Sequence, residues 1–116
     1  MSSEFLRKRI FLQSESGARR ELTLWLGTPY QKEVNGIANW HVDWGIIGLL
    51  DRARELVGLT AFDAMVANLD GMKQYLKPFA KGHEIVDADL EALSNQNPNA
   101  GLGNGVVTIS ELFGKP

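Results

Sequence analysis

The sequence predicts an α+β fold in which an antiparallel sheet of three to five strands packs against one main amphipathic helix. The first half of the chain alternates apolar with polar residues, as half-buried strands do. Residues 60–77 instead carry apolar side chains at helical spacing, and glycine, asparagine and proline separate the segments. The 116 residues are enough for one hydrophobic core. We therefore expect a single domain over residues 1–116, with the strands and main helix in residues 5–77 and an ordered C-terminal extension in residues 78–116.

The first two strands are predicted to form a hairpin. In strand one the apolar side holds Leu6, Ile10 and Leu12. The segment S-E-S-G-A-R follows, and its Gly17 is able to adopt the positive φ of a tight turn. In strand two, E-L-T-L-W-L, one face holds Leu22, Leu24 and Leu26. A sheet with three leucines on one face needs a cover, which the main helix is expected to provide.

Strand three is predicted to begin near Ile37, after a polar connection. Pro29 cannot donate to a sheet ladder, and Asn35 with Gly36 is a strong turn pair. The alternation then separates two sets of side chains, with Ala38, Trp40, Val42 and Trp44 on one side and Asn39, His41 and Asp43 on the other. Residues 46–58 admit two interpretations. One is a short helix at residues 49–57, and the other is a strand to about residue 49, a turn near residue 51 and a fourth strand ending at residue 58.

Residues 60–77 show the clearest pattern in the chain. Large apolar residues recur at spacings of three and four and form one stripe, which we expect to be core: Phe62, Met65, Val66, Leu69, Met72 and Leu76. Thr60 is expected to be the N-cap with Asp63 as its partner, and Pro78 is expected to end the helix. Gly71 costs about 1 kcal/mol relative to alanine in a helix interior, so it indicates close packing against the sheet or a small bend.

The C-terminal extension carries weaker signals. D-A-D-L-E-A-L at residues 87–93 predicts a short acidic helix, and the Asn-, Gly- and Pro-rich residues 94–105 predict a loop. V-V-T-I-S-E-L-F at residues 106–113 predicts a late strand. We expect this extension either to add an edge strand or to fold over the sheet face that the main helix leaves open.

Composition restricts the classes of function. Hydrophobic residues make up 44% and charged residues 22% of the chain, as in soluble globular proteins and unlike disordered or membrane proteins. The formal net charge of -2 argues against a nucleic-acid partner, because phosphate neutralisation needs a basic face. Cysteine is absent, and the N-terminal residues contain no apolar run of signal-peptide length. We therefore expect a cytoplasmic protein with no membrane partner.

The run V-G-L-T-A-F-D-A-M at residues 57–65 resembles a motif of a bacterial small-domain family of unknown function. Members show short β-strands and then Gly, an apolar residue, Asp, two variable residues and Gln-Ala-Leu at the start of a long helix. The corresponding positions here hold Gly58, Leu59, Thr60, Asp63, Ala64 and Met65, so Thr60 and Asp63 replace the usual Asp and Gln. The resemblance covers residues 5–77 and implies a strand at residues 53–57. It implies no catalytic residue.

His41 and Asp43 are the residues that most suggest chemistry. Same-face neighbours along a strand lie about 7 Å apart, which suits two metal ligands or a base with an orienting carboxylate. A catalytic zinc site uses three protein ligands, however, and the chain has neither cysteine nor a G-x-S-x-G nucleophile motif. We therefore assign no catalytic residue, no metal site and no cofactor. His41 is expected to face solvent or to be hydrogen-bonded.

Two further motifs match known sites only in part. His83 precedes a D-x-D-x-E run, but an EF-hand loop aligned there would have Ala92 and Pro98 at the positions of its Gly and Glu. The G-L-G-N-G run at residues 101–105 lacks the following helix and the unit of about 30 residues that a dinucleotide site needs. We interpret the first as a solvated helix and the second as a glycine loop.

The sheet face opposite the leucines is the candidate interface. If the leucines, Trp40 and Trp44 face the helix, the opposite face holds Trp25, Phe11, Arg7, Arg9, His41 and Asp43. Aromatic residues and arginine are enriched where proteins bind one another. This face is either covered by residues 79–116 or open to a partner. In a homodimer the second copy would cover the face and form the interface at the same time.

The sequence therefore favours a non-enzymatic bacterial interaction module, of accessory or immunity type, that binds an unknown protein partner or a second copy of itself. The alternative is a small hydrolase or metal-dependent enzyme that uses His41 and Asp43. Convergence of these two residues with His83 in one concave pocket would favour the enzyme.

Overall fold

A computed structural model describes residues 4–113, with only the backbone described for residues 4 and 5. Residues 1–3, where a signal peptide would begin, and residues 114–116 lie outside the described part. The strands are β1 (Glu4–Gln13), β2 (Arg19–Gly27), β3 (Tyr30–Val34), β4 (Ile37–Ile47), β5 (Arg54–Gly58), β6 (Glu84–Asp87) and β7 (Val106–Val107). The helices are α1 (Ala61–Ala80), α2 (Ala88–Gln96) and α3 (Ile109–Leu112), and a 3₁₀ turn spans Gly103–Gly105.

The fold is α+β, as predicted, but the predicted three to five strands and single main helix understate it. Over the described residues the antiparallel sheet has seven strands, and three α-helices accompany it. The extra strands are short. Each of them either pairs with a segment that is distant in sequence or is itself formed by a polar run. β6, for example, has four residues and pairs with residues 10–13 of β1. Segments this short are too brief to show a clear period in the sequence.

The strand order runs from β5 through β4 to β2, β1, β6 and β7. β2 and β3 lie end to end along one edge of β4, while β5 lies along its other edge. From the pair Leu26 and Trp44 to the pair Tyr30 and His41, the β2–β3 side advances four residues and β4 advances three. This one-residue bulge contains Pro29, at a position where a missing backbone N–H is tolerated.

The turn between β3 and β4 explains why β3 forms from a polar run. Asn35 and Gly36 have positive φ values of 53° and 78°, as a two-residue hairpin turn requires. The turn pairs Val34 with Ile37 and brings the polar segment before it alongside β4. For residues 46–58, the strand interpretation is right and the helix interpretation is wrong, because β5 pairs with β4 from Arg54 to Gly58.

The sheet face that α1 covers, called the helix face here, carries the hydrophobic core. Its buried residues include Leu22, Leu24 and Leu26. Trp44 is 2% exposed and meets the ring of Tyr75 on α1 edge-on, with 6.1 Å between the ring centroids. Trp40 is half-buried against the same core. The predicted apolar layer between the leucines, the two tryptophans and the helix is thereby confirmed.

The buried side of α1 differs from the predicted stripe. Phe62 and Val66 are 75% and 49% exposed, so their assignment to the core is wrong. The helix instead turns Ala64 and Asn68 toward the sheet. This orientation follows from a close approach of the two backbones at Gly58, where a Cβ would lie 2.9 Å from the Cα of Ala64.

The ends of α1 are set by its cap and by the position of its proline. The Oγ1 of Thr60 accepts a hydrogen bond from the backbone N–H of Asp63 at 3.1 Å, which confirms the predicted N-cap. Pro78 does not end the helix, which continues to Ala80. Pro78 cannot donate to the carbonyl of Gln74, but because α1 ends two residues later, little helical structure depends on that turn.

The C-terminal extension both adds strands to the edge of the sheet and folds over part of the face opposite α1, the two alternatives that the sequence left open. β6 and β7 extend the sheet beyond β1, and α2 packs over β1 and β6. The predicted acidic helix is confirmed as α2. The late strand is correct only for Val106–Val107, because Thr108 then caps α3. The Thr108 hydroxyl accepts from the N–H of Glu111 at 3.0 Å, and the Glu111 carboxylate accepts from the N–H of Thr108 at 2.8 Å.

The molecule is elongated, with principal extents of 55 × 26 × 23 Å. Its radius of gyration of 16.0 Å exceeds the value of about 13 Å expected for a compact chain of this length. One cause is that β3 and the first half of β4 extend beyond the end of β1. No helix among the described residues has the length and apolar content needed to cross a membrane.

Candidate functional site

Among residues 4–113, the sheet face opposite α1 is covered at one end, by α2. There the guanidinium of Arg19 lies 5.0 Å above the ring of Phe11 and binds both carboxylate oxygens of Glu91 on α2, at 2.6 and 3.0 Å. Strand register places other side chains on the rest of this face. We call that part the open face; it comprises Thr23, Trp25, Tyr30, Lys32, Val34, Ile37, Asn39, His41, Asp43, Gly45, Ile47, Glu55 and Val57.

A hydrogen-bonded network joins three strands of the open face. One oxygen of Glu55 accepts from the hydroxyl of Tyr30 at 2.6 Å, and the other lies 2.9 Å from Nδ1 of His41. The Tyr30 hydroxyl is also 3.2 Å from Oδ1 of Asp43. The rings of Tyr30 and His41 stack with a centroid distance of 5.6 Å. These contacts hold β3, β4 and β5 together and fix the direction of each side chain.

The network determines which of its groups carry charge. The hydrogen bond to Glu55, followed by burial and the negative charge of Asp43, raises the pKa of Tyr30 well above its ordinary value. The hydrogen bonds from Tyr30 and His41 lower the pKa of Glu55. Near neutral pH, Tyr30 is therefore a neutral donor and Glu55 an ionised acceptor. Nδ1 of His41 consequently carries the proton that it shares with Glu55.

His41 is buried and hydrogen-bonded, so the second of the two expectations for it is correct. Its side chain is 4% exposed, and its Nε2 is buried without a hydrogen-bond partner. A catalytic base must come within hydrogen-bond reach of the proton it removes, which a histidine buried to this degree does not do in this conformation. The geometry assigns His41 a structural role, in which it is hydrogen-bonded to Glu55 and stacks against the ring of Tyr30.

Trp25 owes its position to a glycine. It stands opposite Gly45 on β4, and a Cβ on that glycine would lie 2.7 Å from Cε2 of the indole. The absence of a side chain at Gly45 therefore lets the indole lie flat on the neighbouring strand. Arg7 is opposite Trp25 on β1, which places it beside the open face.

The other predicted residues lie apart from this centre. Phe11 and Arg9 are at the end covered by α2, with the Arg9 guanidinium 5.7 Å from the ring of Phe11. His83 is exposed in the turn between α1 and β6, and its Nδ1 lies 3.2 Å from the carbonyl oxygen of Lys81. The structure therefore does not bring His83 to His41 and Asp43. Within residues 4–113, no three His, Cys, Asp or Glu residues are grouped to hold a metal ion.

Sequence reasoning missed Tyr30 and Glu55, which form the centre of the network. Tyr30 lies in a segment interpreted as a connection, and Glu55 in one interpreted as either helix or strand. Only the register of β5, which sets Glu55 opposite Asp43, shows that the two meet. The turn pair Asn35 and Gly36 was the available signal, since a two-residue hairpin places Tyr30 opposite His41.

Glu55→Gln is expected to lower the free energy of unfolding by about 1 kcal/mol at pH 7. A carboxylate whose pKa is lowered in the folded protein stabilises it above its ordinary pKa, and that stabilisation is lost as pH falls through the lowered value. The difference from wild type should therefore shrink as pH falls below about 4.3, the ordinary pKa of a glutamate. Urea denaturation at pH 7, 5.5 and 3.5 measures it.

The matched control for this change is Glu33→Gln, which removes the same charge at an exposed position of β3. It should leave the free energy of unfolding nearly unchanged at all three pH values. A deficit for Glu55→Gln that does not vary with pH would show that the ionised carboxylate is not what holds the network together.

Comparison with protein-family models, with curated proteins and with solved structures finds no match to this chain. The resemblance to a bacterial family therefore stays a proposal that rests on the residues around Gly58. The strand that it implied at residues 53–57 is present as β5, one residue further along the chain.

Proposed function

We propose that the protein is a non-enzymatic interaction module that binds another protein through the open face. One observation carries the proposal. This face exposes aliphatic side chains along the length of β4 that no element covers among the described residues: Val34 and Ile37 at the β3–β4 turn, Val57 beside His41, and Ile47 at the opposite end, which are 46–62% exposed. Aliphatic and aromatic side chains exposed together on one sheet face are typical of protein contact sites.

The rigidity of the aromatic side chains also favours binding. Tyr30 is held by Glu55 and stacked on His41, and Trp25 lies flat over Gly45. Rings fixed in this way lose little conformational freedom when a partner covers them, so more of the contact energy is available for affinity. Tyrosine and tryptophan are also the residues that most often dominate binding energy.

The charges of the open face indicate the chemistry of the partner. Arg7 lies on its β1 side, with Arg9 two residues further toward the end covered by α2, while Asp43 and Glu55 lie near its middle. A complementary surface would place carboxylates near the two arginines and hydrogen-bond donors near the two acidic side chains. A protein offers both, whereas a nucleic acid offers mainly phosphates. An accessory or immunity-type role in a bacterium is part of this proposal; the family resemblance supports the bacterial origin and implies no function.

The alternative, a small hydrolase or metal-dependent enzyme that uses His41 and Asp43, receives less support from the geometry. His41 is buried beneath Tyr30 and engaged with Glu55, and His83 lies in a different turn.

The proposal is tested with a matched pair of variants, Ile47→Asp and Val66→Asp. The two residues are 50% and 49% exposed, but Ile47 is on the open face and Val66 is on the outer side of α1. The partner is identified by capture with the wild-type protein, then purified, and its Kd is measured by interferometry. Ile47→Asp should raise the Kd by at least about tenfold, and Val66→Asp by less than about twofold.

Equal effects of the two variants would contradict the proposal, because binding would then not depend on the open face. Sedimentation velocity of the wild-type protein alone provides a second check, and a monomer is expected. A dimer that Ile47→Asp dissociates would replace the proposed partner with a second copy of the chain.

A further inference from the structure

A second feature lies on the helix face and is independent of the proposed function. It is an apolar cleft of about 230 Å³ between the β1–β2 hairpin, α1 and α3. Leu6, Leu24 and Leu26 form its floor, Leu69 and Met72 form the α1 wall, and Leu112 lies on the α3 side.

The cleft exists because the helix layer is incomplete. α1 packs over β4 and β5, and α3, which approaches the other half of this face, has only four residues. The described residues place no helix of comparable length there, and Leu6 stays exposed.

Lys8 is the charged residue of the described lining whose side chain is on the helix face, opposite Leu24 on β2. Arg7 also belongs to the lining, but its side chain is on the other face of the sheet, beside Trp25. The Nζ of Lys8 is held 2.6 Å from Oδ2 of Asp87, whose other oxygen caps α2 by accepting from the N–H groups of Asp89 and Leu90. An ammonium has three N–H donors, and Asp87 accepts one of them. Lys8 is thus fixed in position with donors left for a second anion.

We propose that this cleft binds an amphiphilic carboxylate, such as a medium-chain fatty acid, with its chain on the leucines and its head group at Lys8. The size of the cleft fits such a chain. A cavity of about 150 Å³ accepts benzene, so 230 Å³ accommodates roughly eight carbons.

The direct test is a titration with sodium octanoate below its micellar concentration, followed by ¹³C-methyl NMR and calorimetry. The methyl signals of Leu69 and Met72 should shift in a saturable manner, with a Kd of roughly 1 mM or tighter. Octylammonium has the same chain and the opposite charge, and it should bind at least about tenfold more weakly. The absence of saturable shifts at these methyls, or equal binding of the two amphiphiles, would overturn the proposal.

Variants of the cleft locate the ligand. Leu69→Trp fills the space beside α1 and should abolish octanoate binding, and Leu6→Trp, at an exposed position, should do the same if the first variant does not fold. Lys8→Met should weaken binding by at least about tenfold. The matched control is Lys81→Met, which removes an exposed lysine at the end of α1 and should change nothing. Unchanged affinity in a folded Leu69→Trp or Leu6→Trp protein, or equal losses in the two lysine variants, would contradict the assignment.

Discussion

Gly58→Ala is expected to lower the free energy of unfolding by about 3 kcal/mol. An added Cβ would lie 2.9 Å from both the Cα of Ala64 and the carbonyl carbon of Asp63, and closer still to the backbone nitrogen of Ala64. These are backbone atoms, so the clash is relieved only by moving α1 away from β5. Gly58 does not have a positive φ, so the loss reports the close approach and not the conformation of the glycine.

Gly71→Ala is the matched control for this prediction. A Cβ at Gly71 would meet the Cδ1 of Leu56 at 3.0 Å, and that leucine is exposed and free to turn. Alanine also favours the helix by about 1 kcal/mol relative to glycine. The free energy of unfolding should therefore change by no more than about 1 kcal/mol. Urea denaturation of both variants measures the difference, and equal destabilisation would contradict the contact between Gly58 and α1.

Trp44→Ala is expected to lower the free energy of unfolding by about 4 kcal/mol. The side chain is 2% exposed and lies between the sheet and Tyr75 of α1. Its removal leaves a cavity in a layer that the surrounding strands cannot collapse to fill. Because natural domains are stable by only about 5–15 kcal/mol, this single change would remove a large part of the total.

Two control variants separate the stability effect of burial from the effect of losing an indole ring. Trp25→Ala removes the same side chain from the open face, where it is half-buried, and should cost no more than about 2 kcal/mol. Trp44→Phe keeps a ring in the core and removes an N–H that is buried without a partner, so it should cost about 1 kcal/mol or less. A loss for Trp25→Ala as large as that for Trp44→Ala would show that the two sheet faces have been assigned the wrong way round.

These expectations separate the residues that stabilise the protein from those proposed to bind a partner. Stability depends on the helix face, where Trp44 and the leucines pack beneath α1. The open face contributes less to the core, so substitutions such as Ile47→Asp should leave the fold intact. Changes in partner affinity in those variants then report contact and not unfolding.

Much of the helix face was predictable from the sequence. The period-two alternation in β2 and β4 placed Leu22, Leu24, Leu26 and Trp44 on one buried side, because successive side chains of a strand point to opposite faces. The N-cap at Thr60 was also predictable, since capping depends on residues that are adjacent in sequence. The candidate site was less predictable from the sequence. His41 and Asp43 were identified, but their partners Tyr30 and Glu55 were not.

The sequence by itself determined the α+β class, the inward side of each long strand and the start of α1. Only the tertiary structure decided that Glu55 joins Tyr30 to His41, that β6 and β7 extend the sheet, and that Phe62 is exposed. The physical reason is that local patterns report which side of an element avoids water. Strand register, and the approach of α1 to Gly58, depend instead on contacts between segments that only the packed fold brings together.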